Sequence, residues 1–184
     1  LGVIDVNTAT EKDLSALPHM TPEISKSITE SRPFESITAF NALLLAQKMT
    51  QEQASELYGK AFVHVNLNTA PPEEIKLIPG AGKKMAKEFE EYRPWKTWAQ
   101  FNKKIGKYVG EKEAERLAQY CFIPLDVNKA TDEDLATIPG LTKPMIEQIS
   151  KGKPWKSMED FKKDFAKTAG EKDAKRIARF LVTQ

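Results

Sequence analysis

The chain has 184 residues, with 28 Lys and Arg against 26 Asp and Glu, so its formal net charge of +2 creates no overall field that would select a partner. At 40% hydrophobic and 29% charged, its composition is that of a soluble globular protein, and it has no apolar run near the ~20 residues of a membrane-spanning helix. Cys121 is the single cysteine, which excludes an intrachain disulfide framework and a cysteine-based zinc site, and it reads as a small buried hydrophobe. The chain opens on Leu1 instead of Met, as a processed or truncated chain does; a removed signal peptide is one such origin.

Internal repetition organises the rest. "IDVNTATEKDLSALP", "HVNLNTAPPEEIKLIP" and "PLDVNKATDEDLATIP" open three units of about 60 residues, near Ile4, His64 and Pro124. The predicted units are 1–63, 64–123 and 124–184. Unit one has one extra residue between Phe40 and Met49; otherwise the three align without gaps.

In chain order, each unit predicts the same helices. The first starts at capping-box spacing in Thr10–Asp13 and Thr131–Asp134, and with Pro71 and Pro72 in unit two, where a missing N–H costs nothing. Its apolar pairs are Leu14 and Leu17, Ile75 and Ile78, and Leu135 and Ile138. After a turn, the second helix carries Ile24 and Ile28, Met85 and Phe89, and Met145 and Ile149, and stops at Pro33, Pro94 and Pro154. Phe34, Trp95 and Trp155 follow those prolines and read as core plugs, with base stacking as the sharper alternative. Two more short helices surround Phe40, Phe101 and Phe161, then Leu57, Leu117 and Ile177. Sustained period-two alternation is lacking, so the predicted fold class is all-α. The junctions "AFVHVN" and "CFIPLDVN" are apolar and lack flexible Gly/Ser linkers, so neighbouring units are expected to pack together.

The turn between the first two helices carries the chemistry. Unit two reads Pro79-Gly80-Ala81-Gly82-Lys83-Lys84. A helix restarting there exposes N–H groups with no intrahelical partner, at the positive end of the helix dipole. Glycines permit a tight turn and close approach of an anion, and the lysines add full charge. Gly-x-Gly alone is weak evidence, because a tight helix–helix turn with solvated lysines reads the same way.

The stretch "VNLNTAPPEEIKLIPGAGKKMAKEFEEYRPW" resembles the helix-hairpin-helix domain of ComEA-type competence DNA receptors. The resemblance rests on Asn66, Asn68, Thr69, Ala70, Pro79, Gly80, Ala81, Gly82, Ala86, Tyr92 and Arg93, and extends to all three units through "VNTATEKDLSALP" and "VNKATDEDLATIP". It implies three tandem helix-hairpin-helix units of the SAM/ComEA-like kind, without catalysis or cofactors, in which the first hairpin contacts the sugar–phosphate backbone of DNA independently of sequence. It also implies an exported, extracytoplasmic bacterial protein. The expected phosphate-binding residues are Gly80, Ala81, Gly82, Lys83, Lys84 and Lys87, with Gly140 and Lys143 in unit three.

The departures from the pattern set a ranking. Unit one has Pro18-His19-Met20-Thr21, without either glycine, and unit three has Pro139-Gly140-Leu141-Thr142, without the second. Residues 1–63 hold 5 basic and 8 acidic residues, net −3; 64–123 are net +3 and 124–184 net +2. An acidic unit repels a phosphate backbone, so DNA contact belongs to units two and three. Lys103, Lys104, Lys107, Lys162, Lys163 and Lys167 either widen a basic face or are simply solvated. His19 and His64 lack any catalytic or metal-ligand spacing, and no Walker or dinucleotide motif is present, so no enzyme is expected. Weak, sequence-independent DNA binding is the leading reading; a protein-interaction scaffold that kept the fold and lost the ligand is the rival, since a similar fold serves the extrinsic PsbU subunit of photosystem II. A small-molecule substrate is not expected.

Overall fold

The computed structural model describes residues 2–184 and is all-α, with helices joined by turns and three short strand pairs. It divides into two compact units, Leu1–Ile123 and Pro124–Gln184. The element order strand, four helices, strand occurs twice in the first unit and once in the second.

The first run comprises β1 (Ile4–Asp5), α1 (Glu11–Ser15), α2 (Pro22–Ser31), α3 (Ile37–Ala46), α4 (Gln51–Tyr58) and β2 (Ala61–Phe62). The second comprises β3 (Val65–Asn66), α5 (Pro72–Ile75), α6 (Lys83–Glu91), α7 (Trp98–Val109), α8 (Glu111–Ala118) and β4 (Cys121–Phe122). The third comprises β5 (Leu125–Asp126), α9 (Asp132–Leu135), α10 (Lys143–Lys151), α11 (Met158–Ala169), α12 (Glu171–Ala178) and β6 (Leu181–Val182). These runs are called repeats one, two and three below. Among the described residues no helix is long and apolar enough to cross a membrane.

The strands pair in parallel, β1 with β2, β3 with β4 and β5 with β6, so each repeat is stitched from its first residues to its last. At two residues each they are too short to leave a period-two pattern in the sequence. A side-chain clamp adds a second closure. The Asn68 amide donates to the carbonyl of Trp95 at 3.0 Å while its Oδ1 accepts from the Trp95 N–H at 2.6 Å. Asn7 does the same with Phe34, and Asn128 with Trp155. Arg32, Arg93 and Lys153 then reach back to the carbonyls of Ala9, Ala70 and Ala130. The recurring Asn and Arg positions are therefore internal braces, 27 and 23 residues along from their partners.

Capping follows the sequence. Thr10 and Thr131 form reciprocal boxes with Asp13 and Asp134, and Pro72 occupies the first turn of α5. Phe34, Trp95 and Trp155 are buried, with the indole N–H of Trp95 bound to the Phe89 carbonyl and that of Trp155 to Ile149. They are core plugs, not surfaces for a base. Cys121 is buried too, and burial pushes its thiol pKa far above the ordinary value.

Within Leu1–Ile123 one apolar core runs from Val6 to Cys121. Repeats one and two join in it through an edge-to-face chain in which Tyr58 meets Phe62 at 5.4 Å and Phe62 meets Tyr120 at 5.0 Å. The Tyr120 hydroxyl donates to the Tyr58 carbonyl at 2.9 Å. In Pro124–Gln184 the core is built on Val127, Leu135, Ile149, Phe161, Phe165 and Ile177.

Candidate nucleic-acid interface

The hairpin between the first two helices closes identically in every repeat. The N–H of Met20, Ala81 and Leu141 donates to the carbonyl of Leu17, Ile78 and Ile138, respectively, at 3.4, 2.9 and 3.2 Å. The preceding residue must adopt positive φ: +59° at His19, +83° at Gly80 and +73° at Gly140. Glycine takes that conformation without a Cβ penalty. Ala81 is buried and its amide is engaged in closing the turn, so it shapes the hairpin.

What distinguishes the repeats is the next position, the N-cap of the second helix. Thr21 Oγ1 accepts from the Ile24 N–H at 3.2 Å, and Thr142 Oγ1 accepts from the Met145 N–H at 3.5 Å. Pro22 and Pro144 each remove a further amide from these helix starts. Helices α2 and α10 are thus capped by their own side chains. Gly82 provides no side-chain cap to α6, and no proline occurs in its first turn. Among the described residues the amides of Gly82, Lys83, Lys84 and Met85 have no acceptor. A Cβ built on Gly82 would meet nothing within 4 Å, so the space before these donors is open.

Charge is arranged around the same point. Lys83 and Lys84 are exposed in the first turn of α6, and Lys87 is exposed one turn further on. No acidic side chain occupies that first turn, whereas α1, α5 and α9 all begin with carboxylates. An anion at the α6 start therefore meets unpaired N–H groups, the positive end of the dipole and exposed lysines together. Gly140 and Lys143, the expected residues of repeat three, flank the self-capped Thr142.

A brace from the last helix holds the hairpin. Arg116 on α8 donates to the Pro79 carbonyl at 2.6 Å and to both oxygens of Glu113, at 2.9 and 2.6 Å. The Arg116 hydrogen bond keeps the Glu113 carboxyl below its ordinary pKa. Arg176 donates to the Pro139 carbonyl in the same way. The carboxylate partner of Arg116 is thus Glu113, one turn back on the same helix. The second hairpin of repeat two, where Gly110 (φ +86°) separates α7 from α8, puts Glu111 and Glu113 in the first turn of α8 and presents no comparable anion site.

Beside the hairpin, α6 and α7 share a cluster that sequence reasoning missed. The Tyr92 and Tyr108 hydroxyls lie 2.9 Å apart, Lys84 Nζ stands 5.7 Å from the centroid of the Tyr108 ring, and Lys104 Nζ stands 5.0 Å from that of Tyr92. The Tyr92 hydrogen bond, followed by burial and the Glu88 carboxylate, raises the Tyr108 phenol pKa. The signal was present as Lys84, Glu88 and Tyr92 at i, i+4 and i+8, one stripe of α6 that runs out at its C-cap Tyr92.

Residues 60–122, which span repeat two, match the family model of the helix-hairpin-helix motif. The match falls on the repeat with the uncapped hairpin. Neither the curated proteins nor the solved structures compared with the chain give a match.

Proposed function

We propose that the protein is a non-catalytic DNA-binding protein that grips the sugar–phosphate backbone through the repeat-two hairpin, in the manner of the ComEA-type receptors it resembles. The observation that carries this reading is the open amide end of α6 at Gly82, where the equivalent helices are closed by Thr21 and Thr142. The helix-hairpin-helix match over 60–122 supports it, since that motif is generally associated with non-specific DNA binding. Gly82, Lys83, Lys84 and Lys87 are the contacts, and Gly80 and Ala81 form the turn that presents them.

One hairpin neutralises two or three phosphates at most, which gives a log–log salt slope of roughly −2 to −3. Phosphate contacts position without specifying, so base sequence has no effect. The test is a titration of the chain with short duplex DNA at two salt concentrations, alongside Lys83→Glu with Lys84→Glu. Binding that falls with salt and is abolished by the double substitution supports the reading. If the variant binds as well as the parent, the hairpin is only a turn.

A second reading applies to repeat one. Its capped hairpin, its net charge of −3 and its fusion to repeat two through Tyr58, Phe62 and Tyr120 favour a supporting role without DNA contact.

A further inference from the structure

We propose that Tyr108 is a stacking platform for an unpaired base, so that the repeat-two site holds single-stranded nucleic acid more tightly than duplex. The inference rests on the hairpin reading and adds the class of nucleic acid to it.

The argument starts from an exposed aromatic ring in an unusual setting. Tyr108 is 44% exposed, and Trp98 at the start of α7 is 40% exposed, whereas Phe89 and Phe101 are fully buried; of the two exposed rings only Tyr108 has a lysine of the hairpin over it. It is not loose: its hydroxyl is bound to that of Tyr92 and faces the Glu88 carboxylate, which is buried in α6. A ring fixed at its edge and open to solvent has already lost the freedom that stacking would otherwise cost.

The lysine that covers it belongs to the phosphate site. Lys84 occupies the first turn of α6 beside the open amides, and its ammonium rests over the Tyr108 ring. A phosphate at the hairpin attracts that ammonium more strongly than a ring quadrupole does. Binding of the phosphate then draws Lys84 off the ring and bares its face. Hairpin and ring are thus one lysine side chain apart, a span comparable with the sugar that separates the phosphate of a nucleotide from its base.

Duplex DNA cannot use this arrangement, because its bases are stacked on one another. It also finds no second anchor in repeat two, where the other hairpin begins with Glu111 and Glu113. A single strand gains both the phosphate contact and the stack. The pairing of features is confined to this repeat. The positions of Lys84, Glu88, Tyr92 and Tyr108 are taken in repeat three by Pro144, Gln148, Gly152 and Thr168, which line an open groove instead. Repeat three is also the repeat whose hairpin is closed by Thr142.

The test measures fluorescence anisotropy of labelled oligo-dT and of a duplex of equal length against the full chain at one salt concentration. The parent is expected to bind the single strand more tightly. Tyr108→Ala is expected to weaken single-strand binding about tenfold, within the range for loss of one stacked base, and to leave duplex binding unchanged. Tyr108→Phe keeps the ring and drops the hydroxyl bond, and should retain most of the single-strand affinity. Equal losses on both substrates, no loss on either, a loss in the Phe variant as large as in Ala, or a parent that prefers duplex would each overturn this inference while leaving the hairpin intact. If Lys83→Glu with Lys84→Glu changes neither substrate, the hairpin reading fails and this inference falls with it.

Discussion

His19 Nε2 stands 2.7 Å from Glu56 Oε2, and the pair occupies the places held in repeat two by Gly80 and Arg116. A Cβ on Gly80 would come within 2.5 Å of Arg116 Nη2, so a side chain at this turn forces the guanidinium on the last helix out of its present position. Repeat one has changed both. Its histidine takes a left-handed backbone at φ +59° and recovers a tie to the last helix through a carboxylate. Repeats two and three keep glycine and let arginine hold the carbonyl behind it.

A substitution cycle tests that exchange. Gly80→His alone is expected to destabilise the chain by about 1–3 kcal/mol, through left-handed strain and displacement of the Arg116 brace. Arg116→Glu alone loses the bond to Pro79. The double substitution recreates the His19–Glu56 pair and should recover part of the sum, with a coupling of about 0.5–3 kcal/mol. Denaturant midpoints of the four proteins measure it, and strictly additive losses would show that the two positions do not interact.

Acid should act on the same brace. Glu113 lies below its ordinary value of 4.5 because of Arg116, and the exposed capping residues Asp13 and Asp134 lie below 3.8 through their bonds to Thr10 and Thr131. A carboxyl depressed on folding adds stability that is fully present above its unfolded value, and the contribution is lost as pH falls through the folded one. Thermal midpoints should therefore hold near neutrality and drop below about pH 4. Glu113→Gln should show a shallower drop than the parent; identical profiles would show that Glu113 is not linked to folding.

The join between repeats one and two predicts a third result. Phe62 is fully buried between Tyr58 and Tyr120, so Phe62→Ala should cost about 3–5 kcal/mol. Because that core is shared, the loss should appear as one transition of Leu1–Ile123, followed by amide hydrogen exchange in both repeats. Exchange confined to residues of repeat one would show that the two repeats fold independently.

Much of this was legible in the sequence. Helix starts at Thr10 and Thr131, the stops at Pro33, Pro94 and Pro154, and the apolar pairs are local features, and local rules locate them. The Asn68–Trp95 clamp and the Arg116 brace were not legible, because they join residues 27 and 37 positions apart whose side chains serve equally well on a surface. The site was half legible. Gly-x-Gly marked the hairpin, but in the sequence Thr142 registers only as the absence of the second glycine. The structure gives it an active role, since its hydroxyl takes the donor that an anion would use.

That role supports the most direct test of the hairpin, Gly82→Thr. The backbone at Gly82 has φ −103° and ψ −168°, an extended conformation that threonine adopts, as Thr21 and Thr142 do in the same place. A Cβ there meets nothing, so the fold has no reason to reject it. The new hydroxyl should cap the Met85 N–H and raise stability by a few tenths of a kcal/mol, the usual difference between threonine and glycine at an N-cap. The same hydroxyl removes one donor from the anion site and stands in its open space. DNA binding should therefore fall at least tenfold while the melting temperature holds or rises slightly. Most point substitutions destabilise, so a loss of binding at unchanged or raised stability cannot be ascribed to unfolding. Gly82→Ala serves as the control: it adds the Cβ without a hydroxyl, leaves the amides available and should lose less binding. If Gly82→Thr binds DNA as the parent does, the open amides of α6 are not the contact.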